Sequence, residues 1–449
     1  MTTIGRFHIA LGIAAAALML GDASPVLAQA AAPPAPPPKI DAADTAWMIA
    51  ATCLVLMMTL PGLALFYAGM VRKKNVLGTM AWCLAAVMLC SILWAVVGYS
   101  LAFGGDGPII GTLQRFLLLG ISMDSTHKAA ATIPESLFMI YQMTFAVITV
   151  ALVSGAVADR MRFSAFLSFA GGWLIFVYVP IAHWVWGGGF LQAAGLLDFA
   201  GGTVVHLNAG VAGLVAAYVI GKRHGYGTDN FSPYNLSLAV IGTGMLWVGW
   251  FGFNGGSALT SGSRASMAIV ATHLAASAGV LAWMACEWWT RGKPSVLGMV
   301  SGAIAGLGTI TPASGFVLPW HGIVIGLIAG GFCFWACTWL KQKLQYDDSL
   351  DVFGIHGVGG ATGTLLAGVF AVAALSVAPP DLPAGSPGLI EGNPRQVLIQ
   401  LYGIVATLVW SGVVTFVLLK VIEFVVPLRV SQQHEIEGLD ITQHGESLQ

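Results

Sequence analysis

From Trp47 onward the chain is a series of long apolar segments separated by short polar stretches, each segment near the roughly 20 residues that a helix needs to cross a bilayer. The pattern predicts helices at 46–70, 79–102, 136–158, 163–182, 199–221, 234–255, 265–289, 295–312, 319–341, 352–375 and 396–426. Positive charges are spread unevenly between them. Arg72, Lys73, Lys74, Arg160, Arg162, Lys222, Arg223, Arg291, Lys293, Lys341, Lys343 and Arg429 lie at one set of ends, and Lys39, Arg115, Lys128, Arg264 and Arg395 at the other. Eleven helices place the mature termini on opposite sides, and twelve positive charges against five place the C-terminus in the cytoplasm. The expected class is an all-α integral membrane protein with eleven transmembrane helices.

Before the first span, Arg6, the apolar run 9–20 and the small residues Ala28 and Ala30 have the layout of a secretory signal. Residues 1–28 are therefore expected to be cleaved, since the apolar run is too short to span. Residues 29–45 read as a Pro/Ala-rich linker outside the membrane. The transmembrane domain covers 46–428, and residues 429–449 form a polar tail that by itself reads as a solvated end.

Within the apolar background one stretch is repeated. Residues 198–213, DFAGGTVVHLNAGVAG, are echoed by residues 348–363, DSLDVFGIHGVGGATG, so that Asp198, His206, Gly210 and Gly213 correspond to Asp348, His356, Gly360 and Gly363. Each copy reads as a helix entrance with Asp at or near the N-cap, a histidine two turns inward, and glycines that let another backbone approach. Eight residues put the histidine ~12 Å beyond its Asp, so the acid has a separate task. The repeat divides the chain into halves 46–223 and 234–375, with 396–426 left over. Five helices per half is an odd number, so the second half enters the membrane upside down. Such inverted repeats belong to transporters and channels, whose site lies between the halves near the midplane. His206 and His356 are expected to meet there.

Composition narrows the class without changing it. The chain is 57% hydrophobic and 9% charged, against roughly 25% charged in soluble domains. A net charge of −1 offers no basic surface for nucleic acid. The six cysteines fall in apolar runs and read as small buried hydrophobes, with neither a disulfide nor a thiolate metal site expected. No cofactor is implied.

Imidazoles are costly among apolar side chains unless hydrogen-bonded. A symmetric pair can bond each other, one ring donating and the other accepting, and desolvation favours the neutral form of both. His183, His273 and His321, by contrast, read as satisfied structural histidines. Aromatic residues supply a second signal: Tyr141, Phe145, Trp184 and Trp186 in the first half, and Trp247, Trp250, Phe251 and Phe253 in the second. Trp186, in the loop WVWGGG before Asp198, offers an indole face to a cation. Ser257 offers a hydroxyl acceptor, and Asp198 supports such a site from behind by holding loop amides. From the residues alone this is a small-cation site over an apolar conduit lined by two neutral histidines.

With these motifs in order, YQMTFAVIT, RFSAFLSF, PIAHWVWGGG, residues 198–223, WVGWFGFNGGSAL, ITPASGFV and DVFGIHGVGG, the chain resembles the Amt branch of the Amt/MEP/Rh ammonium transporter superfamily over nearly its whole length after residue 28. The resemblance implies an eleven-helix fold with an inverted five-plus-five repeat, assembled as a homotrimer in the bacterial inner membrane with a pore in each subunit. It implies ammonium, or methylammonium as analogue, recruited by Trp186, Phe145, Ser257 and Tyr141 with Asp198 as the buried acid. Phe145 and Phe253 then correspond to a stacked phenyl gate, and His206 and His356, with Trp250, to the pore lining. The tail resembles family tails that pack on the inner face and shape docking of a PII-type signal protein. Tyr141 stands where many members have phenylalanine, and Asp159 where glutamate is common. An ammonium sensor on the same scaffold, signalling through a PII-type partner, is the alternative reading. A haem protein would claim the two histidines as axial ligands, and an enzyme would need a nucleophile with its base, which the spans do not contain.

Overall fold

The computed structural model describes residues 39–376 and 385–448; the expected signal peptide and residues 29–38 of the expected linker lie outside them. Among the described residues the chain is helical, with isolated bridge pairs in place of strands. Ten helical elements are long and apolar enough to cross a membrane: α1 (Ala42–Met70), α2 (Lys73–Phe103), α3 (Glu135–Val157), α4 (Phe163–Ala193, broken at Gly187–Gly189), α5 (Gly202–Ile220), α6 (Leu236–Gly255), α7 (Ser263–Arg291), α9 (Pro319–Leu344), α10 (Phe353–Phe370) and α11 (Pro394–Val425).

The span expected at 295–312 is a shorter helix, α8 (Val296–Ile310), of 15 residues. At ~1.5 Å per residue it reaches about 22 Å, short of the roughly 30 Å hydrocarbon core. Pro312 has no N–H to continue the ladder, and the chain turns through 311–316 instead. Even so, α8 lies inside the bundle against α6, α7, α9 and α10. The helix expected at 352–375 ends at Phe370, where Ala371 turns extended and the Val372 N–H bonds the Phe316 carbonyl.

The repeated stretches run in opposite directions, as an inverted repeat requires. α5 ends and α10 begins at the same end of the bundle, where the Arg223 guanidinium grips the Asp347 carboxylate at 2.7 Å. Both histidines stand on π-helical turns, Gly202–Leu207 and Phe353–Gly357. Their helices meet backbone to backbone: a Cβ on Gly210 would lie 2.2 Å from the Gly357 N, and one on Gly360 2.6 Å from the Leu207 N. The glycines of the repeat are therefore the condition for the crossing.

At the Asp347 end the tail is docked rather than solvated. It forms α12 (Gln432–Glu437) and α13 (Leu439–His444). Asp440, 2% exposed, accepts the Leu77 and Gly78 N–H groups at 3.1 and 2.7 Å and so caps the start of α2. Glu435 holds Arg429 at 2.8 Å and the His224 N–H at 2.7 Å. Asp159 is buried beneath, bonded to Asn75 and to Arg223. Burial pushes the Asp440 carboxyl up, against the downward pull of its amides. Burial also tends to raise Asp347, but Arg223 outweighs it and holds that carboxyl below its ordinary value.

The crossing can be tested by substitution. Gly210→Ala is expected to destabilise the detergent-solubilised protein by ~1–3 kcal/mol, the usual range for overpacking. Gly244→Ala, whose new Cβ meets nothing within 4 Å, is expected to leave the melting temperature unchanged. Equal melting temperatures for the two variants would contradict the backbone contact.

Candidate functional site

Asp198 lies in the loop before α5 and is 5% exposed. Its Oδ1 accepts the N–H groups of Gly201 (2.8 Å) and Gly202 (2.6 Å). Its Oδ2 accepts those of Thr203 (2.8 Å) and Val204 (3.3 Å) and the Thr203 hydroxyl (2.5 Å). Both oxygens are thus engaged with the open end of α5, where a helix leaves its first amides unpaired and favours a negative charge. The carboxylate faces the loop, and only the Asp198 carbonyl reaches Trp186, accepting its indole N–H at 2.9 Å. Trp186 itself is the last residue of a helical stretch, Val179–Trp186, not part of a loop as the sequence suggests; the glycines that follow end the helix one turn later than expected.

From Trp186 a chain of rings leads inward. Phe145 on α3 meets Trp186 edge to face with ring centres 5.9 Å apart, and stacks on Phe253 at 4.1 Å. Phe253 lies 6.2 Å from the His206 ring, and His206 lies 5.2 Å from His356. Tyr141, one turn before Phe145, packs its ring at 5.0 Å and bonds its hydroxyl to the carbonyls of Gly252 and Phe253 at 3.0 and 2.9 Å. Ser257 donates to the Phe253 carbonyl at 2.8 Å and stands 3.4 Å from the Tyr141 hydroxyl. Tyr141, Phe145, Trp186, Phe253 and Ser257 therefore converge, although they come from α3, α4 and the α6 end.

His206 and His356 face each other through Nδ1 atoms 3.2 Å apart. One Nδ1 must carry the proton and the other accept it, so the two rings are opposite tautomers. Trp250 stacks on His206 at 5.5 Å and is held there by its N–H bond to the Thr311 hydroxyl at 2.8 Å. His206 Nε2 has no hydrogen-bond partner among the described residues. A narrow void of ≈ 10 Å³ lies beside the pair, lined by both histidines, Trp250, Phe253 and apolar side chains including Met58, Phe66, Leu152 and Ile304. That is room for about one water-sized molecule.

The remaining sequence candidates have structural work. His183 faces the Ala102 and Gly107 carbonyls, and His321 Nδ1 accepts the Leu318 N–H. His273 packs on Trp247 and Phe251 outside the ring chain. Trp184 bonds the Ile109 carbonyl and packs on Phe190 and Trp410. Asp348, the counterpart of Asp198, is bonded differently: Oδ2 accepts the Phe353 N–H at 2.7 Å, while Oδ1 has no hydrogen-bond partner among the described residues. Thr311 and the apolar residues of the void lining, such as Met58, Phe66, Leu152 and Ile304, escaped the sequence reading. Thr311 stands in the motif ITPASGFV, directly after the last residue of α8, and its only signal was a hydroxyl at that place.

Asp198→Ala removes the acceptor of several buried donors, each costing ~1–3 kcal/mol when unpaired. It is expected to lower stability by at least about 3 kcal/mol, while Asp198→Asn, which keeps one acceptor oxygen, loses less. Thermal unfolding of the purified variants checks the order; an Ala variant as stable as the Asn variant would contradict the cap.

The model of the Ammonium Transporter Family matches residues 46–448. The ammonium transporter of Bacillus subtilis is 49% identical over 403 residues, 90% of this chain and 97% of that protein. The crystal structure of Saccharomyces cerevisiae Mep2 superposes with a TM-score of 0.81 at 39% identity, covering 87% of this chain and 88% of that one. A structure titled "Sensor Amt Protein" does so with a TM-score of 0.81 at 29% identity, covering 90% and 98%. A helical bundle with two antiparallel histidine-bearing helices, matched by the family model over residues 46–448 and by relatives named as ammonium transporters, places this multi-pass membrane protein in the ammonium transporter family.

Proposed function

We propose that the protein recruits ammonium at Trp186, Phe145, Ser257 and Tyr141 and passes it as ammonia through the histidine-lined void into the cytoplasm. The observation that carries this reading is the unbroken ring chain from Trp186 through the stacked Phe145 and Phe253 to His206 and His356. Ammonium and potassium have the same charge and similar size, so selection has to use what only ammonium possesses, hydrogen-bond donors and a removable proton. Aromatic faces attract either cation. The Ser257 oxygen adds an acceptor, which rewards the ion that donates. Beyond it, phenyl rings 4.1 Å apart leave no room for hydration water, and a permanent charge entering the dry void would lose its solvation. Ammonium escapes that penalty by leaving its proton behind. The two imidazoles, as opposite tautomers, guide the amine and can relay the proton. Asp198 supports the site indirectly, ordering the loop that carries the acceptor of the Trp186 N–H.

The same reading includes a homotrimer in the bacterial inner membrane, with the tail in the cytoplasm. The charge asymmetry of the loops supports the cytoplasmic tail; the trimer and the inner membrane rest on the family resemblance. A PII-type signal protein would dock on the tail face, which is supported by a tail packed as structure instead of trailing free. A second reading, an ammonium sensor on the same scaffold, draws on the likeness to the structure titled a sensor. Uptake of methylammonium by proteoliposomes of the purified protein separates the two, because a sensor without transport gives none.

His206→Glu tests the pore. The carboxyl still accepts a hydrogen bond from His356. It either stays protonated and alters proton coupling with ammonium flux preserved, or ionises and admits potassium beside ammonium. Proteoliposome currents under ammonium and potassium gradients, with His206→Ala as control, are expected to differ from wild type. Folded Glu and Ala variants with wild-type selectivity and charge movement would make the pair structural.

Deleting residues 430–449 is expected to leave intrinsic uptake measurable and to change its inhibition by a PII-type partner. Unchanged binding and inhibition in the truncated protein would remove the tail from that role.

A further inference from the structure

α11 lies outside the expected repeat, and two of its side chains are not explained by packing. Gln396 and Gln400, four residues apart on one helix face, are 3% and 0% exposed. The Gln400 amide uses every hydrogen-bonding position it has. Oε1 accepts the Leu197 N–H at 2.9 Å and Gln396 Nε2 at 3.1 Å, and Nε2 donates to the carbonyls of Leu197 and Thr364 at 2.7 and 2.8 Å. Because one residue supplies both a donor and an acceptor from its backbone, the oxygen and nitrogen of the amide can be placed only one way round. Gln396 Nε2 also donates to the Gly195 carbonyl at 3.0 Å.

Leu197 immediately precedes Asp198. Gripping its N–H and its C=O together fixes the strand that delivers the Asp198 carboxylate to the amides of 201–204 and the Asp198 carbonyl to the Trp186 indole. Thr364 stands on α10, two turns beyond His356. One side chain on α11 therefore ties the loop behind Trp186 to the helix of the second histidine. An amide on a membrane helix is expensive unless bonded, and methionine would fill the same volume without that demand.

We infer that Gln400, seated by Gln396, is a positioning residue for cation recruitment: it sets the Asp198 loop against α10 and through it the pose of Trp186. Neither glutamine belongs to the ring chain or lines the void. The inference rests on the reading of Asp198 and Trp186 proposed above.

The experiment measures KM and kcat for methylammonium uptake in proteoliposomes made with full-length wild type, Gln400→Met, Gln400→Glu and Asp198→Asn. Gln400→Met keeps the volume and removes every bond; it is expected to raise KM about tenfold with kcat within about twofold, the signature of weakened ground-state recruitment. Gln400→Glu retains the acceptor for the Leu197 N–H and is expected to recover part of the lost KM. A folded Gln400→Met with wild-type KM, or with kcat lowered at constant KM, overturns the positioning role. If in the same series Asp198→Asn loses uptake, the recruitment reading stands without it. Wild-type KM and kcat in Asp198→Asn instead sink that reading and the inference with it. Should Gln400→Met fail to fold, Gln396→Leu removes the seat and the Gly195 bond alone; a raised KM supports the role and an unchanged KM overturns it.

Discussion

Two imidazoles bond through their Nδ1 atoms only where the helices that carry them are held close and their rings aimed at each other, and much of this fold answers to that requirement. The 3.2 Å contact of His206 with His356 needs Gly210 and Gly360 at the crossing, where any side chain would meet main-chain nitrogen. It also needs rings aimed inward from opposite directions. The π-helical turns at both histidines widen the local spiral at that point, a distortion that tends to accompany functional positions. Trp250, anchored on Thr311, then closes one face of the pair.

In the proposed recruitment site, the loop before α5 would let a carboxylate favour a cation without touching it. Asp198 spends both oxygens on amides and a hydroxyl of its own chain. Its charge nevertheless remains near the site, offset in part by the positive end of α5. On the reading proposed above, selectivity is divided between surfaces: attraction comes from ring faces and a fixed negative charge, and rejection from a dry constriction. A point charge placed in the conduit would hold cations and slow their passage, which is why an acid turned away from it is the better arrangement.

The legible parts of the molecule were those that repeat or that obey the length of a membrane span. The spacing of Asp198 with His206 and of Asp348 with His356 foretold the antiparallel crossing, because apolar sequence rarely duplicates polar residues in register. The convergence of Phe145, Trp186, Phe253 and Ser257 came through resemblance; periodicity cannot tell which faces of α3, α4 and α6 point at one another. Three features were hidden for physical reasons. α8 has the composition of a span but is stopped by Pro312. The unequal bonding of the two repeat acids depends on loop amides whose direction no side-chain pattern encodes. Gln400 stands with Gln396 near the start of a lipid-length helix, where an interfacial position explains a glutamine equally well. The tail was misjudged by composition: its charges read as hydrated, whereas Glu435 and Asp440 are spent on other parts of the chain.

That last feature has a temporal side. Asp440 caps the Gly78 amide, 362 residues earlier in the chain, so the start of α2 leaves the ribosome long before its cap is made. Until Leu439 and Asp440 are made, the start of α2, together with the buried Asn75 whose side-chain Oδ1 takes the Leu439 N–H, relies on water or a passing headgroup in their place. Closure of this end of the bundle consequently follows the synthesis of Asp440, and a chain interrupted before that residue carries an open helix end.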